Sequence, residues 1–164
     1  MYPGVMILML FWILKIDTSL ENLAWFFAYG ILSNFIFCGQ GFFLGIMVLD
    51  ESSVKIVNVL FVMVFISANG VLCNLTTANW FIKFMSHISP CRFNTEGFVR
   101  RTTMQIPDLT HHEPIAIPQI SQEQVLENFG YTYGDNLCIS VLVIWFFVWI
   151  ILSIIAINVK FRKL

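Results

Sequence analysis

The chain has 164 residues, of which 58% are hydrophobic, 16% aromatic and only 12% charged, with a formal net charge of −1. Soluble domains lie nearer about half apolar and about a quarter charged, so this composition excludes a disordered chain, a disulfide scaffold and an ordinary soluble enzyme. Nine basic residues against ten acidic ones leave no positive field to hold phosphates, which excludes nucleic acid as a partner.

The first apolar piece, Gly4 to Leu14, is about the length of a signal-peptide core. No basic segment precedes it and no clean small-residue cleavage site follows. Lys15, Asp17 and Glu21 come directly after it. We read residues 4–14 as a partial transmembrane span entered at Pro3 and Gly4. On that reading the chain is a fragment of a longer protein.

Three runs then carry no Asp, Glu, Lys or Arg: Asn22 to Leu49, Ile56 to Ile82 and Asn136 to Val159. Each exceeds the roughly 20 residues a helix needs to cross a bilayer. Three such runs in one short chain predict an integral membrane protein with the lipid bilayer as its surroundings. The predicted spans are residues 22–48, 54–72 and 136–159. The link from Asp50 to Lys55 reads as a tight turn between antiparallel helices, with Ser52 or Ser53 able to cap the second.

The run from Ile56 to Ile82 is too long for one upright helix, and its second half holds Asn69, Asn74, Thr76, Thr77 and Asn79. The span is expected to end near Leu72. The segment from Asn74 to His87 then lies at or dips into the outer leaflet, where its backbone must be covered by protein. Ser89-Pro90 opens a second short helix, because proline suits a first turn that does not need its N–H. On it Arg92 and Glu96 stand four apart, a spacing that allows a weak ion pair.

Residues 73–135 form the re-entrant segment and long outer loop. Pro107, Pro114 and Pro118 predict an extended, irregular stretch. Ser121 and Gln124 match a capping box, Val125, Leu126 and Phe129 give a stripe, and Gly130 stops the helix. Tyr131 and Tyr133 suit an interfacial belt, and Trp145 and Trp149 a packed span. The tail holds Lys160, Arg162 and Lys163, which places it in the cytoplasm and the long loop outside. Lys83, Arg92, Arg100 and Arg101 in the loop weaken that count.

Candidate chemistry is sparse. No GxxxxGK[ST] loop is present in the sequence, so the chain itself is expected to bind no ATP. His111, His112 and Glu113, with His87, lack a ligand spacing, and no metal site is assigned. Cys38, Cys73, Cys91 and Cys138 show no CxxC pattern and read as free thiols. The sequon at Asn74 sits too near a span end for use. Gly41 and Gly45 form a GxxxG pair beside Gly39, a pattern that lets helices approach. Gln40, Asn58 and Asn69 are polar side chains within spans and read as interhelical hydrogen-bonding groups.

The stretch Gly70-Val-Leu-Cys-Asn-Leu-Thr-Thr-Ala-Asn-Trp80, followed by Ser89-Pro-Cys-Arg-Phe-Asn-Thr-Glu96, resembles the transmembrane domain of G-subfamily ABC transporters, the White and breast-cancer-resistance type. The Gly130-Tyr131 element and the basic C-terminus after one last span fit as well. The resemblance implies the C-terminal part of one ABC-2 type transmembrane domain: an all-α helical bundle with a re-entrant or outer-leaflet helix pair and a long extracellular loop. It implies partners: a nucleotide-binding domain that would carry ATP and Mg, the first spans of the same transporter, and a second transmembrane half in a dimer. It implies ATP-driven efflux of lipophilic cargo, a lipid, sterol or amphipathic small molecule. It places Met63 and Ile66 in the substrate cavity and Val71 and Leu72 in an apolar plug above it. It marks Asn74, Thr76, Trp80, Pro90, Arg92 and Glu96 as the re-entrant motif. Leu75, past the turn, is expected to matter less than Leu72. Relatives that bridge cysteines in this loop differ from this chain, and Val71 is smaller than the leucine often found there. A rival reading is a stand-alone small membrane protein acting as a structural or assembly subunit. A channel is disfavoured because no span carries a charged or polar stripe.

Overall fold

The computed structural model describes residues 20–48, 50–103 and 122–162, and among these every regular element is helical. The elements are α1 (Leu20–Met47), α2 (Glu51–Ser67), α3 (Trp80–Ile88), α4 (Pro90–Thr103), α5 (Gln122–Phe129) and α6 (Asp135–Phe161). The partial span at 4–14, the proline-rich stretch with His111, His112 and Glu113, and Ser121 of the expected capping box lie outside the described residues.

Helices α1 and α6 are long and apolar enough to cross a membrane. They pack side by side and run parallel. The Tyr29 hydroxyl donates to Asp135 at 3.4 Å near one end. Phe35 meets Phe146 and Phe43 meets Trp149 further along, each pair with ring centroids 5.6 Å apart. At the far end Lys160 Nζ donates to the carbonyl of Ile46 at 2.9 Å. Close approach rests on Gly39, where an added Cβ would stand 3.0 Å from Trp149 Cβ. Gly41 and Gly45 have open space around them, so the GxxxG pair is not what joins these helices.

α2 begins one residue after Asp50, whose carboxylate accepts from the Ser53 amide at 3.0 Å. Asp50 is therefore the cap, and the hydroxyls of Ser52 and Ser53 donate to it rather than capping themselves. α2 ends at Ser67, short of the expected Leu72. Asn69 explains the stop. Its side-chain oxygen accepts from the Val71 amide at 2.8 Å, offering the backbone a turn in place of a helix. Gly70 then takes φ +91°, a left-handed value that bulkier residues resist.

The early stop creates a step. At 1.5 Å per residue α1 extends for ~42 Å and α2 for only ~26 Å. The missing height beside α1 is filled by α4. Its Pro90 end meets the last turn of α2, where the Ser89 hydroxyl donates to the Phe65 carbonyl at 3.0 Å. Its Thr103 end rises to the start of α1 and α6. The hydroxyls of Thr95, Thr102 and Thr103 bond back to carbonyls four residues earlier, so they carry no unmet donors into apolar surroundings. The main core joins these three helices through Tyr29, Ile36, Phe93, Cys138, Leu142 and Trp149. Trp145 packs against it, as expected for a packed span.

A second, smaller core lies beyond the step. Leu75, Leu126 and Tyr131 are buried together, with Ile82, Val99 and Phe129 around them. α5 ends at Gly130, which takes φ +73°. The two tyrosines expected in an interfacial belt pack inward instead. Tyr131 is buried and its hydroxyl donates to the Asn69 carbonyl at 2.8 Å, while Tyr133 stacks on Phe93. The two free ring edges that a belt would need are thus taken up by contacts with α4 and the end of α2.

Candidate functional site

Two arrangements stand out above the packing. The first is a charged cluster on α4. Positions 92, 96 and 100 share one helical face, and the structure turns that face into the protein. Arg92 and Glu96 are both buried. Glu96 Oε2 lies 3.7 Å from Arg92 Nε, and Oε1 lies 3.9 Å from Arg100 Nη2 while accepting from the Tyr133 amide. The sequence suggests a weak pair; burial makes it an internal one, where a lost partner is costly. Burial pushes the Glu96 carboxyl above the usual carboxylate range, opposed by the Tyr133 amide, Arg92 and Arg100.

Arg92 also reaches outward from α4. Nη1 donates to Ser86 Oγ at 3.0 Å and approaches His87 Nδ1 at 3.2 Å, and Nη2 donates to the Gly130 carbonyl at 3.2 Å. Its guanidinium sits 4.9 Å from the Tyr133 ring centre. His87 is pushed below its ordinary value by partial burial and by Arg92. One residue thus ties α3, α4 and the turn after α5 together.

Arg101 does the same at the other end of α4. It meets Asp135 Oδ2 at 2.9 Å and Glu21 Oε1 at 3.5 Å, and lies 4.4 Å from the Trp25 ring centre. Three cations and three carboxylates (Arg92, Arg100, Arg101; Glu21, Glu96, Asp135) balance one another. Such a set positions helices; it offers no nucleophile or general base arranged for chemistry. Among the described residues no group of His, Cys, Asp and Glu is placed to hold a metal.

The second arrangement is α2 itself. Asn58, Val62, Phe65 and Ile66 face the protein, and Gln40 of α1 donates to Asn58 Oδ1 at 3.1 Å, as expected of an interhelical bond. Val59, Leu60, Met63 and Val64 face outward and are exposed. Met63 and Ile66, paired by sequence reasoning, are about 60° apart round the helix. Ile66 lines a cavity between α1, α2 and α4 and Met63 does not. Val71 and Leu72 fall in the irregular segment past α2, with exposures of 50% and 70%. Trp80 begins α3 and is exposed, Pro90 begins α4, and Asn74 accepts from the amide and hydroxyl of Thr76 at 2.9 and 2.7 Å.

Residues 1–100 match the family described as ABC-2 type transporter. The chain belongs to that family. It is an integral membrane protein, and the ABC-2 membrane domain is the domain the match finds in it. Such domains carry no cofactor of their own; ATP belongs to the nucleotide-binding domains with which they pair. No curated protein matches the chain.

Arg100 and Arg101 read as loop charges in the sequence, although the spacing of Arg92, Glu96 and Arg100 already puts those three on one face. Gly97 and Leu75 gave no such signal. An added Cβ at Gly97 would overlap the ring of Tyr29. Leu75 is buried against Gly70, Gly130 and Tyr131.

Proposed function

We propose that the chain is the C-terminal part of the membrane domain of a G-subfamily exporter, which moves lipophilic cargo when a nucleotide-binding domain elsewhere in the transporter hydrolyses ATP. Two such halves face each other as a dimer. Cargo passes along the outward side of α2, past Met63 with Ile66 at the border, toward Val71 and Leu72, which close the route. The long loop is outside and the tail cytoplasmic.

The observation that carries this reading is the outward side of α2 and the segment above it. Val59, Leu60, Met63, Val64, Val71 and Leu72 form an aliphatic surface left exposed by the rest of the chain. A surface of that kind suits lipid, a facing copy or an apolar cargo between two copies. Sidedness agrees with the proposed topology. The Lys160–Ile46 bond sets the tail and the α1–α2 link at one end, and Arg101 sets the loop-bearing end of α4 at the other.

The test uses the full-length transporter in liposomes, with ATP-dependent export of a fluorescent lipid and ATP turnover as readouts. Leu72→Ala is expected to keep expression and dimerisation, change the export rate and raise idle ATP turnover. Unchanged export and ATPase rates in both Leu72→Ala and Met63→Trp would remove these positions from the route.

A further inference from the structure

The inner face of α2 borders a cavity of about 290 Å³ together with α1 and α4. Its apolar wall is Ile36, Phe37, Val62, Ile66 and Pro90, and its polar groups include Ser33, Asn58 and Asn94. Ser33 Oγ and Asn94 Oδ1 are both buried with no hydrogen-bond partner among the described residues. Next to Asn58, the fully buried Gln40 also keeps Oε1 unpaired. Buried polar atoms are paired in the great majority of proteins, so on this cavity wall the Asn94 oxygen calls for a donor and the Ser33 hydroxyl for a partner, and none of the described residues supplies them.

We propose that this cavity binds one neutral lipid alcohol, whose hydroxyl donates to Asn94 Oδ1 and accepts from the Ser33 hydroxyl while its hydrocarbon lies on the Ile36–Phe37–Val62 wall. The chemistry selects the ligand in three steps. No charged side chain lines the cavity, and Cys91, the one ionisable group there, is a neutral thiol at pH 7. A phosphate or carboxylate head would bring charge to a wall that holds no cation, and its acceptors would leave Asn94 Oδ1 without a donor. Water alone supplies donors but would have to wet a wall that is mainly apolar. A hydroxyl on a hydrocarbon meets both demands. The volume lies near the lower end of small-ligand sites, roughly 300–1,000 Å³, which fits a single chain or the end of a larger amphiphile.

This site does not rest on the export reading. It lies inside one protomer, on the side of α2 away from Met63, and its occupancy is read without ATP. The experiment labels the full-length transporter in lipid nanodiscs with a diazirine-bearing octanol, and in parallel with its methyl ether, followed by peptide mapping. Expected adducts fall on residues 33–37 and 90–95 with the alcohol, and drop about fivefold with the ether, the loss of one net hydrogen bond. Ser33→Ala and Asn94→Leu should each lower labelling by a similar factor. Ser33→Ala removes only a hydroxyl, so it keeps the test readable where Asn94→Leu does not fold. Equal labelling by alcohol and ether, adducts confined to other segments, or full labelling of Ser33→Ala would overturn the proposal.

Discussion

The contact between Gly97 and Tyr29 gives the sharpest test of how α4 is held. Tyr29 is fully buried, and an added Cβ at position 97 would come within 2.5 Å of its Cε1 and hydroxyl oxygen. Carbon atoms settle at about 3.5–4.0 Å, so α4 and α1 must separate by about 1 Å or more, or Tyr29 must leave its place. Either response loosens the Tyr29–Asp135 bond and disturbs the Phe98 ring, whose centre is 6.0 Å from that of Tyr29. Overpacking alone costs about 1–3 kcal/mol, and a lost hydrogen bond about 1 kcal/mol more. Gly97→Ala is therefore expected to destabilise the full-length transporter by about 2–4 kcal/mol, read by SDS-induced unfolding in mixed micelles. The same substitution on a Tyr29→Leu background should cost far less, giving a coupling of about 1 kcal/mol or more in a double-mutant cycle. A Gly97→Ala protein as stable as its parent, or strictly additive effects in the cycle, would show that α4 does not pack on Tyr29 as described.

Three further outcomes are expected. Leu75→Ala empties the small core beneath Gly70 and Gly130 and should lower stability by about 2–5 kcal/mol, measured by the same unfolding assay; the exposed Leu72→Ala should leave stability nearly unchanged. Tyr131→Phe removes the donor to the Asn69 carbonyl and should cost about 1 kcal/mol, with the protein otherwise folding normally by size-exclusion chromatography. His87 is held neutral because burial and Arg92 lower its affinity for protons, so its contribution is present above its ordinary value near pH 6.5 and fades as pH falls below it. Solvent screening keeps that loss small, and a melting profile between pH 7.5 and 5.5 should show it in the parent and not in His87→Asn.

The sequence by itself determined the membrane setting, the helical class and the presence of the two long apolar helices α1 and α6, because runs free of charge are a signal of composition and length alone. It also placed the start of α4, since the proline of Ser89-Pro90 suits a first helical turn, and the end of α5 at Gly130. Gln40 and Asn58 were legible as interhelical hydrogen-bonding groups, because a polar side chain within an apolar span has few partners to choose from, whereas the Asn69 side chain bonds its own turn instead. Tertiary structure decided the rest. α2 stops at Ser67 because Asn69 turns the backbone, and that turn is held by Tyr131, 62 residues away. The burial of Leu75 depends on the same long-range closure, which no local pattern reports. Spacing put Arg92, Glu96 and Arg100 on one face of α4, but only packing against α6 and the Tyr133 backbone turned that face inward. A charge's environment is set by what comes to lie beside it, and in this chain those neighbours come from segments far apart in sequence.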